Sequence, residues 1–126
     1  LFNEGCRIVT LKIRAKIRKI LEENNINFQA QYRIRDFNIA APFDFALFQN
    51  GELLGLIEYD GEQHFEPFGY DKDLSKFIST QERDAYKNQW CKENNIRLIR
   101  IPYTEYNNLT MEYLFSFFPE LSFSEI

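Results

Sequence analysis

The chain has 126 residues, which is enough for one domain with one hydrophobic core and too few for two. Hydrophobic residues make up 44% of it, and no stretch reaches the roughly 18–20 apolar residues that a membrane span needs. The formal net charge of −4 argues against a polyanionic partner, but residues 1–40 carry eight Lys/Arg and four Asp/Glu while residues 41–126 carry seven and fifteen. A phosphate-binding face in the first part is therefore one interpretation, and a solvated helix face is the other.

The ends and the cysteines suggest where the protein works. Leu1 to Glu4 lack the charged start and apolar core of a signal peptide, and they lack a Met, so we expect a fragment or processed product of a longer protein. Cys6 and Cys91 form no CxxC pair, and with a single His in the chain they argue against a structural zinc site. We interpret both as free thiols of an intracellular, cytoplasmic protein, with Cys91 packed in a helix; a disulfide is the minority alternative.

The predicted elements follow from the spacing of apolar residues. In chain order we predict a helix over Thr10–Asn24, strands over Phe28–Ile34, Ala41–Phe48 and Leu53–Tyr59, a helix over Ser79–Asn94, a strand over Ile96–Ile101 and a helix over Leu109–Phe118. Thr10 and Thr80 are candidate N-caps, and Asn50-Gly51 indicates a tight hairpin between the second and third strands. Residues 61–75 are predicted to form a long loop. The order α-β-β-β-α-β-α predicts an α/β (α+β) domain with a central mixed β-sheet flanked by helices.

Three carboxylates stand in the two hairpin strands. Asp44 lies in the predicted strand Ala41–Phe48. Glu58 and Asp60, at the end of the partner strand, point to the same face of the sheet because strand side chains alternate. Counting outward from the turn places Asp44 opposite Leu56 to Glu58. Three converging carboxylates need a cation, and hard oxygen ligands suit Mg²⁺ or Mn²⁺. The alternative is a set of solvent-facing strand residues, which the apolar sequence around them disfavours.

His64 is the one histidine in the chain and follows Asp60 by four residues. A lone His is more often structural than catalytic. At the mouth of an acidic site, however, an imidazole with an ordinary pKa near 6.5 can take a proton from water at neutral pH. Together with a divalent ion, this arrangement favours phosphodiester hydrolysis.

The ordered motifs resemble a known nuclease group. They are Pro42-Phe43-Asp44-Phe45, Ile57-Glu58-Tyr59-Asp60-Gly61-Glu62-Gln63-His64-Phe65, Arg83-Asp84-Ala85-Tyr86-Lys87-Asn88 and Arg97-Leu98-Ile99-Arg100-Ile101-Pro102-Tyr103. Together they look like the very-short-patch-repair-like branch of the PD-(D/E)XK nuclease superfamily, including phage and mobile-element (homing-type) endonuclease domains. The resemblance spans roughly residues 10–105. It implies a restriction-endonuclease-like fold and a metal-dependent DNA endonuclease, acting in the host cytoplasm if phage-encoded.

The resemblance also implies roles for particular residues. Asp44 and Glu58 match the metal-binding acids of the motif. The position usually held by Lys is Asp60, also a metal-ligand candidate, and His64 with its neighbour Gln63 would take over the catalytic work. Asp84 would orient His64. Lys87, one turn further on, would reach phosphate, the alternative being an ordinary surface pair with Asp84.

One position departs from the group. Relatives usually carry a Gly-Glu pair early in the first helix, and the corresponding residues here are Ile13-Arg14. Arg14 cannot ligate a metal, so we expect it to contact phosphate, as we do Lys16. The departure also leaves open a weakly active or inactive nuclease fold that binds nucleic acid or a protein. An unrelated aromatic-rich interaction domain is the third alternative. Relatives often carry a separate N-terminal DNA-binding module, and enzymes that cut both strands often act as homodimers.

Overall fold

The computed structural model describes residues 2–34, 42–61 and 74–123. Its helices and strands, in chain order, are α1 (Phe2–Glu23), β1 (Asn27–Tyr32), β2 (Phe43–Gln49), β3 (Glu52–Asp60), α2 (Leu74–Glu93), β4 (Leu98–Pro102) and α3 (Met111–Phe117). The strands form one sheet in the order β1-β2-β3-β4. The first three strands are antiparallel, and β4 runs parallel to β3. The predicted element order and the mixed sheet flanked by helices are therefore confirmed.

Two hydrophobic clusters pack on the sheet. The larger joins α1, α3 and the inner strands, and Ile13, Ile17 and Leu21 of α1 are completely or almost completely buried in it. The smaller joins the sheet to α2, where Cys91 is buried as a free thiol with Trp90 packed beside it. Burial raises the pKa of Cys91 to about 11, which keeps the thiol protonated and unreactive at neutral pH. No helix in the described part of the chain is both long and apolar enough to span a bilayer.

The same four-residue ending closes both long helices. Asn25 and Asn95 have φ angles of 56° and 58°, the left-handed conformation that Asn tolerates better than most residues. The next amides, of Ile26 and Ile96, then donate to carbonyls five residues back, at 3.0 and 2.8 Å. This is the Schellman pattern, and it follows from Glu-Asn-Asn-Ile occurring at residues 23–26 and 93–96. The predicted helix stops are confirmed.

The predicted helix starts are wrong. Both long helices begin about one to two turns earlier than predicted, so Thr10 and Thr80 lie inside them rather than at their N-caps. A single Gly5 costs about 1 kcal/mol and does not stop a helix, while Leu74 to Thr80 contain no Gly or Pro at all. The last helix is shorter than predicted because Thr110, whose hydroxyl accepts from the amide of Tyr113, caps it.

Two 3-10 helices, over Tyr103–Asn108 and Pro119–Phe123, were not predicted, because such short turns lack a long apolar period. The second is fixed to the sheet by Arg97, whose guanidinium donates to both carboxylate oxygens of Glu120 at 2.8 and 2.6 Å. This bidentate bond lowers the pKa of Glu120 to about 2. It thereby brings Phe118 and Leu121, both buried, over the sheet.

Close packing over β3 requires a residue without a side chain at position 55. A Cβ on Gly55 would lie 2.5 Å from Cε1 of Phe118 and 3.1 Å from the carbonyl oxygen of Arg97. Phe118 is completely buried, so its ring has little room to move.

We expect Gly55→Ala to lower the free energy of unfolding by about 1–3 kcal/mol through overpacking. Urea denaturation followed by circular dichroism measures the change. The double variant Gly55→Ala/Phe118→Leu should lose less free energy of unfolding than the two single variants lose together, because the smaller side chain makes room for the new methyl group. Wild-type stability in Gly55→Ala would contradict the close contact.

Candidate active site

The sheet opens at the end where the predicted acids lie. Backbone pairing of β2 with β3 runs from Gln49–Glu52 to Phe45–Ile57. Phe45 packs in the larger cluster, whereas Phe43, two residues away, packs in the smaller one on the other side of the sheet. The neighbouring strand changes faces at the same level, at Gln31, whose φ of 53° is unusual for a strand. Asp44 lies between the two phenylalanines, at the point where β2 turns over.

Side chains replace the backbone ladder at this fork. The amide of Asp44 donates to Oε1 of Glu58 at 2.9 Å, and the amide of Tyr59 donates to Oδ2 of Asp44 at 2.7 Å. Each carboxylate therefore binds the other strand in the place that a carbonyl group occupies elsewhere in the sheet. Both acids are 6% exposed. Asp44 therefore lies within the predicted range opposite Leu56 to Glu58, and the alternative of solvent-facing strand residues is wrong for both acids.

Two cations neutralise this pair, one from each long helix. From α1, Arg14 donates to Oδ1 of Asp44 through Nε at 3.1 Å and Nη2 at 2.9 Å. From α2, Lys87 donates to Oε2 of Glu58 at 2.6 Å and to the carbonyl of Pro42 at 3.0 Å. Lys87 is only 4% exposed, so the alternative of an ordinary surface pair is wrong. Burial makes such pairing necessary, because an isolated charge in the interior costs several kcal/mol.

The pKa of Glu58 is shifted by its surroundings. Burial raises its pKa above the ordinary value, and the negative charge of Asp44 raises it further. The ammonium group of Lys87 acts in the opposite direction, through its charge and its hydrogen bond. The protonation state of Glu58 thus depends on Lys87 remaining in place.

A second charged group surrounds Arg100 of β4, which faces Glu58 in the strand register. Its guanidinium contacts Asp60 at 2.8 Å and Asp84 at 3.5 Å, and its Nε donates to Asn88 at 2.8 Å. Asp60 is 7% exposed, so the third predicted acid is also buried. Sequence reasoning gave Arg100 no role. The available signal was a charged residue at the centre of Leu98–Pro102, an otherwise apolar strand.

The predicted site residues that lie within the described ranges separate into three sets. Asp44 and Glu58 come together with Arg14 and Lys87, whereas Asp60 and Asp84 meet at Arg100. Lys16 is turned away, donating to the carbonyl of Tyr106 at 2.7 Å with its ammonium group over that ring. Gln63 and His64 lie outside the described residues, so the orientation of His64 by Asp84 stays a prediction. The phosphate contacts of Arg14, Lys16 and Lys87 also stay predictions.

The described donor set fits a magnesium-type ion in one way. Among residues 2–34, 42–61 and 74–123, no three Asp, Glu, His or Cys side chains gather closely enough to hold a metal, so the predicted convergence of three carboxylates is not seen there. Mg²⁺, however, is commonly held by one or two carboxylates together with water and substrate phosphate. Asp44 and Glu58 supply two, and Oδ2 of Asp44 and both carboxylate oxygens of Glu58 each accept one hydrogen bond, which leaves a second lone pair on each for a metal ion. Arg14 is the competing cation, because it already occupies Oδ1 of Asp44.

Two viral proteins are similar to part of this sequence. Uncharacterized protein 307L of Invertebrate iridescent virus 6 is 39% identical over 49 residues, which cover 38% of this chain and 25% of that protein. Uncharacterized protein 094L of Frog virus 3 (isolate Goorha) is 43% identical over 53 residues, which cover 38% of this chain and 32% of that protein. The chain therefore spans about a quarter to a third of the length of the curated relatives it matches. No protein-family profile and no solved structure matches the chain.

We expect Lys87→Met to lower the free energy of unfolding by about 3–5 kcal/mol near neutral pH, because it leaves Glu58 as an unpaired buried charge. Without Lys87 the folded-state pKa of Glu58 rises further above its unfolded value. The folded state then holds the proton more tightly, and stability falls as pH rises through the interval between those two pKa values. Urea denaturation at about pH 5 and about pH 8 should therefore give the smaller loss at the lower pH.

Lys92→Met is the matched control, since Lys92 lies on the same helix and is exposed. It should change stability by less than about 0.5 kcal/mol. Adding Glu58→Gln to Lys87→Met should recover part of the loss. Equal effects of the two lysine substitutions would contradict a buried ion pair.

Proposed function

We propose that the chain is a metal-dependent DNA endonuclease that hydrolyses phosphodiester bonds, and that it acts inside the cell, where DNA is found. The observation that carries the proposal is the pair of buried carboxylates at the sheet fork, Asp44 and Glu58, with the buried ammonium group of Lys87 bonded to one of them. A buried acid with a perturbed pKa, such as Glu58, is a frequent feature of active sites.

Each residue has a defined task in the proposal. Asp44 and Glu58 hold Mg²⁺ or Mn²⁺, which, when bound, polarises the scissile phosphate and lowers the pKa of a coordinated water. Lys87 lowers the pKa of Glu58, against the effect of burial, and fixes the orientation of its carboxylate by also holding the carbonyl of Pro42. Arg14 exchanges Asp44 for an oxygen of the phosphate, because a guanidinium group binds either anion well. His64 and Gln63 are the candidates for moving the proton.

The position of Arg14 supports the resemblance to the very-short-patch-repair-like nucleases. Residues at the corresponding place in that group complete the acidic site, and here the side chain of residue 14 touches Asp44. The ordered motifs around Asp44, Glu58, His64 and Asp84 support it as well. The shared stretches in the two viral proteins carry no stated activity and do not bear on the proposal.

A second candidate is a nuclease fold that binds nucleic acid without cutting it. The balance of charge favours it, because Arg14 and Lys87 neutralise Asp44 and Glu58 without any metal. In that case the ion pairs are purely structural. The two candidates differ in whether Asp44 is released to a metal.

Cleavage assays test the leading proposal directly. We expect the wild-type chain to cut supercoiled, linear duplex or single-stranded DNA with Mg²⁺ or Mn²⁺ and not with EDTA. Asp44→Asn and Glu58→Gln should each reduce the cleavage rate by about 100-fold or more, because each removes a metal ligand. Glu52→Gln is the matched control, since Glu52 lies in the same strand but is exposed. DNA binding without cutting on any substrate would favour the second candidate.

Metal binding without DNA separates the two candidates in another way. If Arg14 competes with the ion for Asp44, Arg14→Gln should raise the affinity for Mn²⁺ by roughly tenfold, since about 1.4 kcal/mol of charge-assisted hydrogen bonding is no longer lost. Isothermal titration calorimetry measures this change, and Arg18→Gln, one turn along α1, is the control. Absence of Mn²⁺ binding in both the wild type and Arg14→Gln would contradict a metal site at Asp44.

A further inference from the structure

A groove between α1 and β1 opens beside Asp44. It has a volume of about 360 Å³ and is lined by one face of α1, by Ala30 and Gln31 of β1, and by Phe45 of β2. Arg14 belongs both to its lining and to the ion pair with Asp44. The groove and the carboxylate pair are therefore adjacent and share one side chain.

Three cations and one acid line this groove. The cations are Arg14, Arg18 and Lys19, and the acid is Glu22. Arg18 stacks on the ring of Phe28 at 5.6 Å, a contact that orients the guanidinium group without using its N–H donors. Lys19 has a loose ion pair with Glu23 at 4.0 Å, in which its side chain is 75% exposed, so this pair holds it only weakly. In a chain of net charge −4, a concave surface with this excess of positive charge is a local exception.

The spacing along the helix suits a phosphodiester chain. Arg14 and Arg18 are four residues apart, and the helical rise of 1.5 Å per residue separates them by about 6 Å along one face of α1, so that neighbouring phosphates of one DNA strand can each meet a cation. Leu11, 54% exposed, continues the lining beyond Arg14 and gives an apolar surface for sugars or bases.

We propose that this α1–β1 groove binds the phosphodiester backbone of the DNA strand that enters the active site, with Arg18 and Lys19 on the flanking phosphates and Arg14 on the phosphate nearest Asp44. The inference rests on the proposed nuclease function and adds the path of the substrate. It also narrows the phosphate-binding face that the charge distribution suggests to the side of α1 that lines the groove. Arg18 and Lys19 line the groove, whereas Lys16 is bound to Tyr106 on another side.

The test compares two double variants that each remove two positive charges. Arg18→Gln with Lys19→Gln alters the groove, while Lys12→Gln with Lys92→Gln alters exposed lysines outside its lining. Binding of short fluorescein-labelled duplex and single-stranded DNA is measured by anisotropy in Ca²⁺, and again in EDTA, over a range of salt concentrations. Cleavage in Mg²⁺ is measured separately, and circular dichroism checks folding.

We expect the groove variant to bind DNA roughly tenfold more weakly than the wild type. The slope of log K against log salt should become less steep by about 2, one for each lost phosphate contact. The control variant should keep the wild-type affinity for DNA and the wild-type salt slope. If the wild type cuts DNA and both double variants bind and cut alike, the groove inference is wrong while the nuclease proposal stands. If the wild type binds but does not cut, the nuclease proposal fails, and the binding comparison alone decides the groove. If the wild type binds no DNA, both are wrong.

Discussion

The structure depends on neutralising four charges that are buried at one end of the sheet: Asp44, Glu58, Asp60 and Lys87. None is exposed enough for water to do so, and each is compensated by an oppositely charged neighbour or by a backbone amide. Desolvation makes these contacts obligatory rather than optional. The requirement fixes where both long helices lie, because Arg14 and Lys87 must reach the fork from opposite faces of the sheet. It also explains the contacts of Arg100, which pairs with Asp60 of β3 and Asp84 of α2 and so connects β4 to that helix.

Much of this arrangement could be predicted from sequence, for identifiable reasons. The Asn50-Gly51 turn predicts the hairpin and places Asp44 opposite Leu56 to Glu58, and the register shift between Leu47 and Phe48, which the sequence does not reveal, brings it next to Glu58. The cationic partners could not be found in the same way, because Arg14, Lys87 and Arg100 lie 30, 29 and 40 positions from the acids they contact. Local patterns carry no information on such pairs. Helix starts failed because no strong stop signal precedes either helix.

The division of labour between sheet and helices has a functional meaning. At the fork, strands supply the acids Asp44 and Glu58, whose positions are fixed by hydrogen bonds to or from backbone amides, and the two long helices supply the cations Arg14 and Lys87 on longer side chains. A change at one helix position can therefore alter the net charge of the fork without disturbing the sheet. Arg14, with 38% of its side chain exposed, is the most accessible of these cations and the one best placed to exchange partners.

The hydrogen bonds at the fork also make the site observable in a simple way. The amide protons of Asp44 and Tyr59 are held by carboxylate side chains instead of by carbonyls of the ladder. Their hydrogen–deuterium exchange rates and chemical shifts should consequently respond to whatever those carboxylates bind, whereas amides deeper in β2 and β3 report on the opening of the sheet. The amide resonances of Asp44 and Tyr59 therefore report whether a ligand binds the carboxylates at the fork.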